Sequence, residues 1–262
     1  MRIIDTHTHI YPDSIANKAA QSVRAFYELS GVSLDGTVAT LLHQGDRAGI
    51  DKFVVLPVTL TPNRTRHIND YILSQVALQP RFFGFGTIHA EQEDLTSEVQ
   101  YILDNGLHGI KMHPDSQGFF ADDPRLFPAY EMLEGKHSVI LHIGDPRYNY
   151  SHPARLRHII DNFPKLQVVA AHFGGYQMYD VASEYLKDAE NCFFDTSSSM
   201  MFMEPGTPER LINLYGAERF MYGTDYPMWD PVEEVQNFLN LNITAAQKEQ
   251  IAHKTAESLF GL

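Results

Sequence analysis

The chain has 262 residues, 44% hydrophobic and 20% charged, with 33 acidic against 20 basic side chains and a formal net charge of −13. That balance excludes nucleic acid as an expected partner, since phosphate binding needs clustered Lys and Arg, and it argues against anionic membrane surfaces. No apolar run reaches the roughly 18–20 residues that span a bilayer, and the start of the chain lacks the apolar core of a secretory signal.

A single cysteine, Cys192 in the run NCFF, leaves no internal disulfide and reads as a small buried hydrophobe. A cytoplasmic protein is expected. No linker-like tract or fixed-period repeat divides the chain, so one domain over residues 1–262 is expected.

The first strand is expected at RIID (2–5), running straight into DTHTH. Residues i and i+2 of a strand share a face about 7 Å apart, so His7 and His9 point the same way at a spacing that suits one metal ion. Asp5, on that face too, is placed to orient an imidazole. A polar strand end with two solvated imidazoles is the plain alternative. Residues 11–36 are too long for a simple loop and are expected to fold over one end of the domain.

Seven more apolar runs follow: KFVVLPV (52–58), RFFGFGTI (81–88), HGIKMH (108–113), SVILHIG (138–144), LQVVAAHF (166–173), NCFFDTS (191–197) and RFMYGTD (219–225). They are near-continuous rather than alternating, as in parallel strands covered on both faces. Helix starts lie between them at Ser151-His152-Pro153, Thr207-Pro208 and Asp230-Pro231, where proline suits the first helical turn. Capping boxes are expected at Asp230/Glu233 and Thr244/Gln247. Eight strands alternating with helices predict a (β/α)8 TIM barrel with an extra C-terminal helix over 244–260. An open doubly wound sheet is disfavoured because no G-x-G-x-x-G turn follows the first strand.

Among 13 histidines, placement matters more than number. His7 and His9 close strand 1, His89 follows strand 3, His113 ends strand 4, His142 strand 5 and His172 strand 6, while Asp225 ends strand 8. Barrel active sites lie at the C-terminal ends of strands, so these residues are expected to converge on one mouth.

DTHTH, LHIGD, AAHFGGY and YGTDYP, in that order over residues 3–228, resemble the amidohydrolase superfamily, and within it the branch of aminocarboxymuconate semialdehyde decarboxylase, γ-resorcylate decarboxylase and related lactonases. The resemblance implies that His7, His9, His142 and Asp225 bind one divalent metal, with zinc expected, and that His172 stands beside the metal-bound water and the substrate. Three imidazoles and a carboxylate leave zinc an open position, and zinc lowers the pKa of water there to about 7. Asp225 and His172 are thus the expected catalytic pair.

Lys111 stays open between three readings: a carbamylated bridge to a second metal, as in binuclear relatives, a partner for a substrate carboxylate, or a lysine snorkelling at the strand end. His113 and Arg147 are further substrate-binding candidates, Arg147 through bidentate capture of a carboxylate. Ser197, Ser198 and Ser199 lack the G-x-S-x-G elbow of a nucleophile and read as loop-forming or pocket-lining.

The leading expectation is a metal-dependent hydrolase attacking a carboxylate-bearing lactone, ester or amide. The alternative is a metal-dependent non-oxidative decarboxylase of an aromatic or enoic acid, and a non-catalytic metal-binding barrel stands third. A small-molecule substrate is the expected partner, and a homodimer the default assembly.

Overall fold

The computed structural model describes residues 1–31 and 33–262, so of the 11–36 segment only Val32 lies outside the described residues. In chain order the strands are β1 (Ile4–Thr8), β2 (Lys52–Val55), β3 (Phe82–Gly84), β4 (Gly86–Thr87), β5 (Gly109–Met112), β6 (Ser138–Leu141), β7 (Gln167–Ala170), β8 (Cys192–Asp195) and β9 (Phe220–Met221). The helices are α1 (Ala16–Phe26), α2 (Val38–Ala48), α3 (Thr65–Leu78), α4 (Leu95–Asp104), α5 (Pro114–Gln117), α6 (Phe127–Leu133), α7 (Pro153–Asn162), α8 (Tyr179–Leu186), α9 (Thr207–Tyr215), α10 (Pro231–Leu239), α11 (Ala245–Glu249) and α12 (Thr255–Phe260).

All strand pairs are parallel, in two hydrogen-bonded sets, β1 to β3 and β4 to β9. The sets form one closed barrel. β3 and β4 are a single strand position interrupted at Phe85, whose N–H still donates to the Val55 carbonyl at 3.1 Å. At the other seam Thr8 bridges Tyr226, while Thr6 N–H donates to Tyr222 O and Asp225 N–H to His7 O, each at 2.8 Å. Eight strand positions alternating with helices give the (β/α)8 barrel.

Registration explains the burial. One row across β5 to β8 is Ile110, Val139, Val168 and Cys192; the next is Lys111, Ile140, Val169 and Phe193. The first row packs outward with Leu156, Ile159 and Leu211 of the helices, and Cys192 is fully buried there. The second row packs inward with Ile4, Val54, Phe85 and Met221. Lys111 therefore points into the barrel, at 1% exposure.

β1 begins two residues later than the expected strand and carries most of DTHTH inside it. Its register against β2 shifts between Asp5 and Thr8. The expected C-terminal helix is three pieces: α11, opened by the Thr244/Gln247 capping box, a π-helical turn at Gln250–Lys254, and α12. Ala256 joins the inner cluster and plugs that end of the barrel. The capping box expected at Asp230 does not form; Asp230 instead accepts from the Val232 N–H at 2.9 Å.

The 11–36 segment lies over the mouth, as expected. Tyr11 N–H donates to Gly36 O and Leu34 N–H to Pro227 O, each at 3.0 Å. Gly36 has φ +77°, and a Cβ there would lie 2.8 Å from the Tyr11 ring, so both conformation and space call for glycine. Among the described residues no helix is long and apolar enough to cross a membrane.

Candidate metal and substrate site

The ends of β1 and β9 bring three of the four expected metal ligands together. His9 Nε2 lies 3.3 Å and His7 Nε2 3.7 Å from Asp225 Oδ1. Their other nitrogens are committed: His7 Nδ1 meets Asp195 Oδ2 at 2.8 Å and His9 Nδ1 meets the Leu56 carbonyl at 2.5 Å. Carboxylate and carbonyl only accept, so both Nδ1 atoms carry the proton, and in the neutral form of each ring the Nε2 atom presents a bare lone pair. Two imidazole lone pairs and a carboxylate oxygen then face one another with no hydrogen to share. That donor set is complementary to a cation, and its residue types suit a divalent metal. Gly223 permits the approach, since a Cβ there would lie 2.9 Å from His7 Cβ.

One cation is already near. Lys111 Nζ donates to His7 Nε2 at 3.3 Å. Burial brings the Lys111 ammonium down to about 8, against the attraction of Asp195 and Asp225. Burial, reinforced by Lys111, takes His7 down to about 4, which keeps its ring neutral at pH 7.

The residue that orients an imidazole is not Asp5. Asp5 accepts from Thr224 N–H at 3.0 Å, Thr224 Oγ1 at 2.6 Å and the His7 backbone N–H at 3.2 Å, and so ties β1 to β9. The register shift in β1 breaks the strict alternation that would have put its carboxylate beside the imidazoles, as bulges near sites do. Asp195, at the end of β8, takes that role. It accepts from His7 Nδ1, from His172 N–H at 3.0 Å, from Ser197 N–H at 3.1 Å and from Ser197 Oγ. Burial opposes its ionisation, but the His7 contact and these donors outweigh it and hold the carboxyl below the usual range. The sequence offered one signal that went unused: Asp195 ends its apolar run as Asp225 ends the last one.

His142 does not join the cluster. Its Nε2 donates to Gly144 O at 2.8 Å and its Nδ1 lies 3.3 Å from the Tyr27 hydroxyl. His113 stacks on it face to face at 3.8 Å. Because His113 Nδ1 accepts from Ser116 N–H at 3.3 Å, its Nε2–H donates to the Tyr27 oxygen, and the Tyr27 hydroxyl donates onward to His142. Tyr27, from the C-terminal end of α1, had no signal in the sequence pattern.

His172 lies with its ring 5.0 Å from His7 and 4.7 Å from His142, and its Nδ1 meets Ser197 O at 3.1 Å. Asp225 Oδ2 accepts from Ser198 Oγ, which in turn accepts from Trp229 Nε1 at 2.7 Å. His172, Ser198 and Asp225 all have φ between +46° and +62°. Non-glycine residues in this region carry strain of order 1–3 kcal/mol each and concentrate at functional sites.

Arg147, expected to capture a carboxylate, is engaged within the protein. Its Nε and Nη2 atoms grip Asp145 at 3.0 and 2.7 Å, and Nη1 donates to Phe26 O at 2.6 Å. The fork is spent inside the protein, latching the C-terminal end of α1 over the mouth. His89 is structural too, its Nδ1 accepting from Glu91 N–H at 3.2 Å.

A cavity of about 540 Å³ opens from this cluster, with His9, His113 and Tyr27 at its polar end and Val58, Leu60 and Met228 among its apolar walls. Tyr27 and Met228 also bound a void of about 10 Å³ against His172 and Asp225.

The chain matches the family model described as Amidohydrolase over residues 4–262. No curated protein matches it. Among solved structures it is similar to an uncharacterized TIM-barrel protein from Bordetella bronchiseptica, at 22% identity and TM-score 0.83, covering 100% of this chain and 99% of that one. It is similar also to 5-carboxyvanillate decarboxylase from Sphingomonas paucimobilis, at 19% identity and TM-score 0.74, with 100% and 99% covered. A third is dihydroxybenzoic acid decarboxylase from a Polaromonas species with bound manganese and the inhibitor 2-nitroresorcinol, at 19% identity and TM-score 0.75, with 100% and 97% covered. At these identities the likeness shows the fold. The family match over nearly the whole length, on a barrel whose strand ends gather His7, His9 and Asp225, establishes that the chain belongs to the amidohydrolase family.

Proposed function

We propose that the protein is a metal-dependent, non-oxidative decarboxylase of an aromatic or enoic acid. The observation that carries this reading is the junction of two environments: converging imidazole and carboxylate donors beside the buried Lys111, meeting at His9 a cavity whose described lining is mostly apolar and includes no aspartate or glutamate. Taking a carboxylate out of water into apolar surroundings disfavours its charged ground state relative to loss of neutral CO2. The decarboxylases to which the fold is similar support the same reading.

His7, His9 and Asp225 would hold the ion, with His172 the imidazole set beside His7 and His142 the next one beyond it. A divalent ion there supplies a Lewis acid for a substrate oxygen; manganese is as consistent with the donor set as zinc. Lys111 offsets the substrate's negative charge, and His172, which bounds the small void together with Asp225, donates to it or positions it. Asp225, steadied by Ser198, takes a proton from water or a substrate hydroxyl and gives it to carbon. The carbon–carboxylate bond breaks, its electron pair stays on carbon, and one proton is consumed per CO2 released.

The same side chains would serve a hydrolase through an activated water, which the family description favours. The two chemistries differ in proton balance: ester or lactone hydrolysis releases a proton, decarboxylation consumes one. Protein loaded with manganese or zinc is to be screened against hydroxybenzoates, enoic acids, esters and lactones, with CO2 and proton flux both recorded in mildly acidic, nitrogen-swept solution, where CO2 leaves before hydration to bicarbonate can return the proton. CO2 release with proton uptake is expected. Proton release from an ester or lactone, with no CO2 from any acid, would establish the hydrolase instead.

A further inference from the structure

We propose that the cavity selects an acid longer than one ring, with a second anionic group at the far end of an apolar body read by Lys18. This deepens the reading above and rests on it only for which end is transformed.

Ile15, Lys18, Ala19, Ser22, Val23 and Phe26 all line the cavity. Their spacing of three, one, three, one and three residues makes a single stripe along α1 and its first flanking residue. Such a stripe normally meets a packed core; here it fronts about 540 Å³ of open volume. That volume is in the range of sites for drug-sized ligands, and a one-ring acid would leave most of it to water. At the rim Ile15 is 51% and Leu60 62% exposed, apolar surface that an apolar ligand body would cover.

Charge gives the direction. The chain carries 33 acids against 20 bases, yet no Asp or Glu is among the described lining residues, and Lys18 is their one lysine or arginine. Lys18 is exposed, while His9 and His113 mark the inner end. Lys18 precedes Phe26, the neighbour of Tyr27, by eight residues on the same helix, which is about 12 Å of helix axis. A two-ring body with a carboxylate at each end spans a comparable distance.

The test is calorimetric titration of the manganese-loaded protein with benzoate, biphenyl-4-carboxylate and biphenyl-4,4′-dicarboxylate. Affinity is expected to rise in that order. Lys18→Gln should weaken the dicarboxylate roughly two- to fivefold, as for a solvent-exposed ion pair, and leave the monocarboxylate unchanged. Ala19→Trp, which fills the cavity, should weaken both biphenyl acids at least about tenfold, the second ring losing its burial, and spare benzoate. Benzoate binding as tightly as the biphenyl acids would overturn the proposal, and so would Lys18→Gln weakening both biphenyl acids equally. The titration reads no turnover, so this affinity order together with no CO2 from any acid in the activity screen would overturn the decarboxylation reading alone.

Discussion

Asp195→Asn tests whether the carboxylate at the end of β8 prepares His7 for a metal. Asp195 Oδ1 accepts from His172 N–H and Ser197 N–H at 3.0 and 3.1 Å, and Oδ2 faces His7 Nδ1 at 2.8 Å. Asparagine keeps the shape, and two backbone donors demand that its carbonyl oxygen take the Oδ1 place. Its NH2 group must then face His7 Nδ1. An amide N–H can only donate, so His7 is driven to the tautomer with its proton on Nε2, the atom that faces Asp225. Losing such a partner of a ligating histidine typically costs 10–100-fold in metal affinity, or about 1.4–2.7 kcal/mol. Manganese affinity is to be measured by chelator competition, with melting in excess chelator recording the metal-free fold. Asp5→Asn is the control, because Asp5 bonds Thr224 and the His7 backbone and no imidazole. It should lower the melting temperature and leave metal affinity unchanged. Unchanged metal affinity in Asp195→Asn would refute the reasoning, as would Asp5→Asn being the variant that loses metal.

Changing His7 and His9 together to alanine removes both bare nitrogens beside Asp225, so metal content by elemental analysis should collapse; full occupancy would sink the assignment. Arg147→Ala releases the Phe26 carbonyl and the Asp145 clamp, so protease cleavage within residues 11–36 should accelerate and KM rise while kcat holds. A fall in kcat at constant KM would instead place Arg147 in the chemistry. Glu234 is 2% exposed, and burial pushes its carboxyl up from 4.5 to about 7. The folded protein keeps this proton where the unfolded chain loses it, so the stability it contributes is full below about pH 4.5 and lost as pH rises through about 7. The free energy of unfolding should fall by up to about 3 kcal/mol across that window, and Glu234→Gln should remove that fall; parallel urea-derived curves for the two proteins would contradict it.

Barrel, strand positions and mouth were legible in the sequence because each rests on local pattern. Apolar runs covered on both faces read as parallel strands wherever they pair, and residues ending those strands share one end of a barrel. Hence His7, His9, His172 and Asp225 could be placed at a common mouth, and residues 11–36 over it, without coordinates. Side-chain assignments that need a third element were not legible. Asp5 and Asp195 both end or border an apolar run, but a register shift within β1 and the barrel closure that brings the end of β8 across β9 to His7 decide that Asp195 holds His7 while Asp5 ties β1 to β9. His142 has the right strand and the right end, yet Gly144 O and the Tyr27 hydroxyl, the latter brought by a helix more than a hundred residues earlier in the chain, turn its nitrogens away from Asp225. Arg147 looks free in a loop and is spent on Asp145 and on α1. Periodicity tells which face and which end a residue occupies. Which partner its donors and lone pairs meet is set by contacts distant in sequence, and only the closed barrel with α1 across it determines those.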